Sequence, residues 1–343
     1  GVADPPVDER QVVGTQGDWL ATSEDGSVLA FHEGTGSRFA VRFATRSGSC
    51  WTKSPDVSTW FAASRVLSAA VIDKTASTLF LGDPRWNMDS VTGPDSERFR
   101  AGAVAVVHGG SPSIDNFFAP KMRNGASFGT SLAFASTANR LVVGEPQQNT
   151  PRNAYDSTEP RNEGAVYVFD AAASRRTPLA TLTARNPDPS LRFFGFGESV
   201  AVSDDATRIF VGAPAEKTGT QKAGEDGTGA VHVFERSDAS WKDVARLAPA
   251  AATPGVRFGD RIAASASGNV LVVAANDLKG TLGSISSRAY TVWRRSASGA
   301  WSSVELFGSS ESARTLTDTF VFDRSGKFVF IADSRAGVVV RAL

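Results

Sequence analysis

A phrase of about sixty residues recurs along this chain, and it determines which folds the chain can adopt. Its clearest copy runs from Phe196-Gly197 through Val211-Gly212-Ala213-Pro214 to Gly229-Ala230-Val231. The internal spacing is constant, since 16 residues separate the phenylalanine from the Gly-type position in three copies: Phe128 and Gly144, Phe196 and Gly212, Phe258 and Ala274. A repeat of this length that holds several short apolar runs predicts a stacked, all-β architecture.

Each unit is expected to contain four antiparallel strands. The first follows Phe-Gly, the second ends at the Gly-x-Pro position, and the third follows Gly-Ala-Val. A polar turn that leads to a tryptophan begins the fourth, as at Trp51, Trp241 and Trp301. The second and third strands are continuous apolar runs, which is typical of strands that are buried on both faces. These features predict a closed β-propeller of four-stranded blades, in which the tryptophans pack blade against blade.

The spacing of the units predicts a single propeller domain over residues 1–343 with six blades, and seven blades are the alternative. The predicted blades span 14–57, 58–125, 126–192, 193–255, 256–312 and 313–343. The last unit has only three strands, so we expect residues 7–13 to supply the fourth. Closure of the ring would remove the exposed strand edges that promote aggregation.

The composition excludes some classes of protein. The chain has 36 Lys and Arg residues against 36 Asp and Glu residues, so no overall field favours nucleic acid. No stretch reaches the roughly 20 apolar residues of a membrane span. The lone Cys50 excludes an intrachain disulfide. The chain begins at Gly1, so we expect that a signal peptide or anchor has been removed.

The motif from Phe196-Gly197 through Gly212-Ala213-Pro214 to Gly229-Ala230-Val231 resembles the FG-GAP repeat, the blade unit of the integrin alpha-subunit propeller. The match is close over 126–275 and weaker elsewhere, because Val66-Leu67 stands where Phe-Gly is expected. This resemblance implies an extracellular or cell-surface propeller that binds a protein partner without catalysis. Integrin-type calcium loops carry Asp-x-Asp-x-Asp-Gly.

The corresponding loops here lack that calcium spacing. Calcium requires about 6–8 oxygen ligands, and segments such as 203–208 and 323–327 present too few carboxylates at the required positions. Catalytic motifs are also few: His32, His108 and His232 have no second zinc ligand at suitable spacing, and no nucleophile elbow occurs. The sequence therefore predicts no cofactor, no metal and no enzyme activity.

Function on a propeller is expected in its loops. The longest loops join the second and third strands, and Trp and Arg are enriched at binding hot spots. The predicted binding residues lie in two of these loops: Arg85, Trp86, Asn87, Asp89, Arg98 and Phe99 in the first, and Arg152, Tyr155, Asp156 and Arg161 in the second. A competing interpretation is that Trp86 and Phe99 only hold a long loop against the ring.

Three functional classes follow from these observations. The first is a non-catalytic adhesion or ligand-binding module at the cell surface or outside the cell, with a protein partner and no nucleic acid or membrane insertion. The second is a lectin-like propeller that binds carbohydrate. The third is a propeller enzyme of the phytase type, with a carboxylate site in the central channel.

Overall fold

The computed structural model describes most of the chain from Leu20 to the C-terminus. The described residues are 20–23, 26–33, 38–48, 50–53, 60–62, 67–75, 77–86, 101–108, 114–120, 125–146, 164–173, 177–184, 195–217, 227–238, 240–249, 254–276, 288–308, 320–322, 326–333 and 337–343. Within these ranges the secondary structure is entirely β, which confirms the predicted all-β class.

The strands of the first three sheets follow one another along the chain. Sheet 1 holds β1 (Leu20–Thr22), β2 (Val28–Glu33), β3 (Arg38–Ser47), β4 (Cys50–Lys53) and β5 (Trp60–Ala62). Sheet 2 holds β6 (Ala69–Ile72), β7 (Thr78–Asp83), β8 (Ala103–His108) and β9 (Ile114–Phe117). Sheet 3 holds β10 (Ser131–Ala135), β11 (Arg140–Glu145), β12 (Ala165–Asp170) and β13 (Ala180–Leu182).

The other three sheets continue the same order. Sheet 4 holds β14 (Ser199–Val202), β15 (Arg208–Ala213), β16 (Ala230–Ser237) and β17 (Ser240–Leu247). Sheet 5 holds β18 (Arg261–Ala264), β19 (Val270–Asn276), β20 (Arg288–Arg295) and β21 (Trp301–Gly308). Sheet 6 holds β22 (Phe320–Phe322), β23 (Phe328–Asp333) and β24 (Gly337–Ala342).

Sheets 2 to 6 are antiparallel meanders in which consecutive strands pair, as the repeat predicts. In sheet 4, for example, Val211 of β15 lies between Val200 of β14 and His232 of β16. Sheet 1 departs from this pattern because β5 pairs with β3, although residues from 58 onward were assigned to the second unit. The segment 7–13, expected to complete sheet 6, lies outside the described residues.

The sheets pack face to face in sequence order, and the first strands β6, β10, β14 and β18 are successive neighbours. Each interface between sheets holds its own apolar cluster. The cluster between sheets 3 and 4, for instance, includes Val142, Phe196 and Ile209. The second strands are buried on both faces, and Leu141, Val142 and Val143 have no exposed surface. This burial explains their continuous apolar sequence.

The glycines of the motif are required by a close backbone contact between sheets. A Cβ atom built on Gly144 of β11 would lie 2.0 Å from the carbonyl oxygen of Gly197 in the next repeat. Gly197 itself has φ +92°, a conformation that non-glycine residues rarely adopt. The Ser131 hydroxyl donates a hydrogen bond to the same carbonyl at 2.8 Å. Gly82 meets Gly129, and Gly212 meets Gly259, in the same way.

The phenylalanine of the motif completes this contact. Phe128, Phe196 and Phe258 are fully buried. Each of their carbonyl oxygens faces a glycine that precedes the third strand of the sheet before it. The oxygen lies 2.2 Å from where a Cβ atom on Gly102, Gly164 or Gly229, respectively, would be. The Phe-Gly, Gly-x-Pro and Gly-Ala-Val elements are therefore three parts of one interface between sheets.

Two of the three predicted tryptophans pack between sheets. Trp301 of β21 meets Phe210 of β15 edge to face, with ring centroids 5.5 Å apart. Trp241 of β17 packs against the apolar cluster shared by sheets 3 and 4. Trp51 instead packs against Phe31 and Ala44 within sheet 1.

We predict that Gly144→Ala destabilises the fold by an amount at the upper end of the ~1–3 kcal/mol typical of overpacking. The new methyl group would collide with backbone atoms of Gly197, which no side-chain rotation relieves. The measurement is the free energy of unfolding in urea.

Gly48→Ala is the control, because Gly48 has φ +61° but no atom within 4 Å of a Cβ position. This variant should carry only the backbone cost of a left-handed residue, roughly 1 kcal/mol. Equal losses in the two variants would contradict the importance of the contact between sheets.

Candidate functional site

Most of the predicted binding residues lie outside the described residues. These are Asn87, Asp89, Arg98, Phe99, Arg152, Tyr155, Asp156 and Arg161, and their role stays a prediction. Arg85 is exposed and Trp86 is half-buried. The Trp86 ring packs against Phe118 with ring centroids 4.5 Å apart. This contact fits the interpretation that Trp86 holds its loop against sheet 2.

A charged cluster instead lies where the first strands of sheets 4 and 5 begin. Glu198 directly precedes β14, and Asp260 directly precedes β18. Both follow the Phe-Gly pair, which ends in a tight turn: the Asp260 amide donates to the Arg257 carbonyl at 3.0 Å. The turn thus places Arg257 and Asp260 on sheet 5 beside Glu198 on sheet 4.

Arg257 bridges the two carboxylates. Its Nη2 donates a hydrogen bond to Glu198 Oε1 and another to Asp260 Oδ1, the latter at 3.0 Å. The side chains of Glu198 and Asp260 are 17% and 11% exposed, whereas Arg257 is 36% exposed. The cluster is therefore largely desolvated but open to solvent on the arginine side.

Glu198 has the chemical properties of a proton-transfer group. Desolvation raises its pKa, with a contribution from the Asp260 charge, while the charge of Arg257 acts in the opposite direction. Within the described part of the chain, Glu198 Oε2 has no hydrogen-bond partner. A carboxyl with a raised pKa holds its proton more readily than an ordinary carboxyl, which suits a group that must both accept and donate a proton.

The backbone of Arg257 supports a role for its side chain. Arg257 has φ +54°, and the residues at the same position of the two preceding repeats, Ser127 and Gly195, are also left-handed. Glycine satisfies this turn without strain, so an arginine there carries a conformational cost. That cost is offset by the two ionic hydrogen bonds that its side chain makes.

Sequence reasoning missed this cluster, although one signal was present. The residue after Phe-Gly varies among repeats, as Thr130, Glu198 and Asp260, and two of these are acidic. Glu198 and Asp260 lie 62 positions apart in the sequence, so their proximity in space is not apparent from it. Only the contact between sheets brings them together.

A second ionic cluster surrounds His232 of β16. Its Nε2 lies 2.7 Å from Glu216 Oε2, and its Nδ1 lies 2.9 Å from Asp243 Oδ2. Arg246 Nε donates to Glu216 Oε1, and Arg246 Nη2 donates to the Lys217 carbonyl at 2.8 Å. The cluster therefore joins β16, β17 and the segment that follows β15.

His232 is a structural residue and not a site for substrate. Its side chain is only 2% exposed, so a ligand has no access to either nitrogen. Tyr167 holds the same register in sheet 3 and donates to Glu145 at 2.5 Å. Different repeats thus place different residues at this position, which agrees with a structural role.

Segment 203–208 forms the hairpin turn between β14 and β15. Asp205 Oδ1 accepts hydrogen bonds from the Ser203 hydroxyl at 2.6 Å and the Thr207 amide at 3.0 Å. Among the described residues, no group of three or more His, Cys, Asp or Glu residues is arranged to hold a metal ion. The described residues also include no helix with the length and hydrophobicity of a membrane span.

Comparison with known proteins shows the fold. No protein-family model and no curated protein sequence matches the chain. The chain is similar in structure to Kuenenia stuttgartiensis hydrazine synthase, with a TM-score of 0.57 and 15% identity over 96% of this chain and 84% of that chain. It is also similar to the periplasmic gluconolactonase PpgL of Pseudomonas aeruginosa, with a TM-score of 0.56 and 15% identity over 94% and 80% of the two chains.

A third similar structure is described as a β-propeller domain, that of Cps50 (Swd1) from Myceliophteria thermophila. Its TM-score is 0.50, with 10% identity over 94% of this chain and 96% of that chain. Together with the four-stranded antiparallel sheets, these similarities identify the fold as a β-propeller. Six blades, ring closure and the FG-GAP resemblance stay predictions.

The expectation that the chain is not an enzyme is wrong. It rested on the integrin-like repeat, yet proteins of the same fold include a gluconolactonase and a hydrazine synthase. The physical reason is that the blades specify a scaffold, while activity depends on side chains at the ends of their strands. An adhesion role receives no support from these similarities.

We predict that stability falls as the pH rises through about 9. Burial alone would lower the pKa of His232, but its hydrogen bonds to Asp243 and Glu216, together with their charges, raise it to about 9. A raised folded-state pKa contributes stability that is fully present below the unfolded value near 6.5 and is lost as the pH passes 9. The expected loss is on the order of 3 kcal/mol.

Urea unfolding of the wild type and of His232→Tyr between pH 6 and pH 10 measures this effect. Tyrosine copies the residue that sheet 3 uses at this register and does not titrate near pH 7. The free energy of unfolding of the wild type should fall relative to that of the variant as the pH rises. Parallel pH profiles would contradict the predicted protonation of His232.

Proposed function

We propose that this protein is a propeller enzyme that hydrolyses a small polar ester or lactone at the Glu198–Arg257–Asp260 cluster. The observation that carries the proposal is the geometry of the cluster, in which Arg257 Nη2 joins the Glu198 and Asp260 carboxylates and its side chain stays 36% exposed. Desolvation also raises the pKa of Glu198. The sequence hypothesis of a carboxylate-based propeller enzyme is thereby preferred over a binding module.

Each member of the cluster has a role in this reaction. Ionised Glu198 removes a proton from a water molecule, whose oxygen attacks the carbonyl carbon of the substrate. The Arg257 guanidinium stabilises the negative charge that develops on the carbonyl oxygen. Asp260 holds Arg257 through the 3.0 Å hydrogen bond and limits its movement.

The second half of the reaction returns the proton. The tetrahedral intermediate collapses, the bond between the carbonyl carbon and the leaving oxygen breaks, and protonated Glu198 donates its proton to that oxygen. The product is a hydroxy acid or an acid and an alcohol, and the enzyme is unchanged. A carboxyl with a raised pKa serves both steps, since it must accept and release a proton within one turnover.

The position of the cluster favours a small substrate. Blades of a propeller surround a central channel. The first strands β14 and β18 are neighbours, so Glu198 and Asp260 lie at the ends of adjacent first strands. The gluconolactonase of similar fold is named for a sugar lactone, a compact and hydroxyl-rich molecule of the proposed class. Extracellular or cell-surface localisation, and a protein partner for the Trp86 loop, stay predictions.

The test is hydrolysis of δ-gluconolactone, other sugar lactones and short-chain aryl esters by the purified protein. We predict that Glu198→Gln lowers kcat by about a hundredfold or more on the best substrate, as expected for loss of a general base. The rate of the wild type should rise with pH through the pKa of Glu198, and this dependence should disappear in the variant.

Glu235→Gln is the matched control, because Glu235 also accepts an arginine hydrogen bond, from Arg208 Nε at 3.0 Å, but in a different cluster. It should keep wild-type kcat. Absence of hydrolysis across the substrate panel, or equal loss in both variants, would overturn the proposal.

A further inference from the structure

The interface between sheets 2 and 3 lacks the tryptophan that packs between sheets at the next two interfaces. Trp241 of sheet 4 packs toward sheet 3, and Trp301 of sheet 5 packs toward sheet 4. In sheet 3 the corresponding turn begins with Ala171, Ala172 and Ala173, and no tryptophan occurs between residues 171 and 182. The side of sheet 3 that faces sheet 2 therefore lacks the bulky ring that fills the next two interfaces.

A cleft of about 1120 Å³ occupies this place. Its floor is apolar, formed by Val106 of β8 and Phe117 of β9, which belong to the cluster between sheets 2 and 3. One wall is the alanine turn of sheet 3. Polar groups and one further aromatic ring complete the lining: Asp73, His108, Asp115, Asn116, Asn139 and Phe118.

Asp115 of this cleft occupies a position that is apolar at the interface between sheets 3 and 4. Asp115 opposes Val106 in sheet 2, as Ala180 opposes Val168 in sheet 3. Ala180 packs on the cluster that holds Trp241, whereas Asp115 is 76% exposed and faces the cleft. Its carboxylate lies 3.9 Å from His108 Nε2, which is too long for a hydrogen bond between them.

We propose that this cleft binds a neutral oligosaccharide, with one sugar ring in the space that a tryptophan fills at the next two interfaces. Small-molecule sites combine an apolar surface with a few convergent polar groups. The half-buried Phe118 ring gives the cleft an apolar surface for the C–H face of a sugar ring. Carboxylate, amide and imidazole groups accept from and donate to hydroxyl groups.

The charge of the cleft selects against other small ligands. Asp73 and Asp115 disfavour an anionic ligand such as a phosphate or a uronic acid. Asp73 is already held by its own turn, because Oδ1 accepts from the Ser77 and Thr78 amides at 2.8 and 3.0 Å. This site uses strands and turns that are separate from Glu198, so it stands independently of the proposed enzyme activity.

The test is isothermal titration of the purified wild type with maltotriose, cellotriose, mannotriose, xylotriose and galactotriose. Two variants alter the cleft: Asp115→Ala removes a hydrogen-bonding group, and Ala173→Trp restores a bulky ring. We predict that Asp115→Ala raises Kd about tenfold or more, the effect of one good hydrogen bond to a charged group. Ala173→Trp should abolish binding while its circular dichroism spectrum and melting temperature stay close to those of the wild type.

Asp238→Asn is the control, because Asp238 lies in the corresponding turn of sheet 4, where Trp241 follows. It should bind as the wild type does. The proposal is overturned if no trisaccharide binds at millimolar concentration, or if binding survives both cleft variants. A sugar bound at the Glu198 cluster would be insensitive to Ala173→Trp, so failure of this proposal is distinguishable from failure of the hydrolase proposal.

Discussion

Direct backbone contact between neighbouring sheets is the constraint on which the rest of this structure depends. At three successive interfaces the carbonyl oxygen of a Phe-Gly glycine lies only 1.9–2.1 Å from where a Cβ atom on Gly82, Gly144 or Gly212 of the preceding sheet would be. The spacing of the first strands is therefore set by backbone atoms. Because this contact leaves no room for side chains, its glycines recur in successive repeats.

The charged groups of the molecule follow from this arrangement. A turn that must precede every first strand offers one side chain before Phe-Gly and one after it. In sheets 4 and 5 these positions hold Glu198, Arg257 and Asp260, and the close packing of sheets turns them into a desolvated cluster. The His232 cluster is more deeply buried and ties β16 to β17 and to the segment after β15. Similar residue types thus serve different purposes, according to whether solvent reaches them.

The sequence predicted the fold well because its information is local and repeated. The constant spacing between Phe128 and Gly144, and between Phe196 and Gly212, follows from the length of one strand, one hairpin turn and the next strand. The charged cluster could not be predicted in the same way. Glu198 and Asp260 belong to different repeats, and neither the desolvation of Glu198 nor its approach to Arg257 is visible in the sequence. The exclusion of catalysis failed because it searched for acidic residues close together along the chain.

The contact between Phe-Gly and the preceding sheet also has a consequence for folding. The Phe196 carbonyl packs on Gly164 of sheet 3, so the turn that starts sheet 4 reaches its native environment only when sheet 3 is in place. Each sheet thus acts as a template for the next, and stability is shared between neighbours as in a one-dimensional array. Such an array can nucleate at its most regular part and grow outward. Here that part is the pair of sheets 3 and 4, which carry all three elements of the motif.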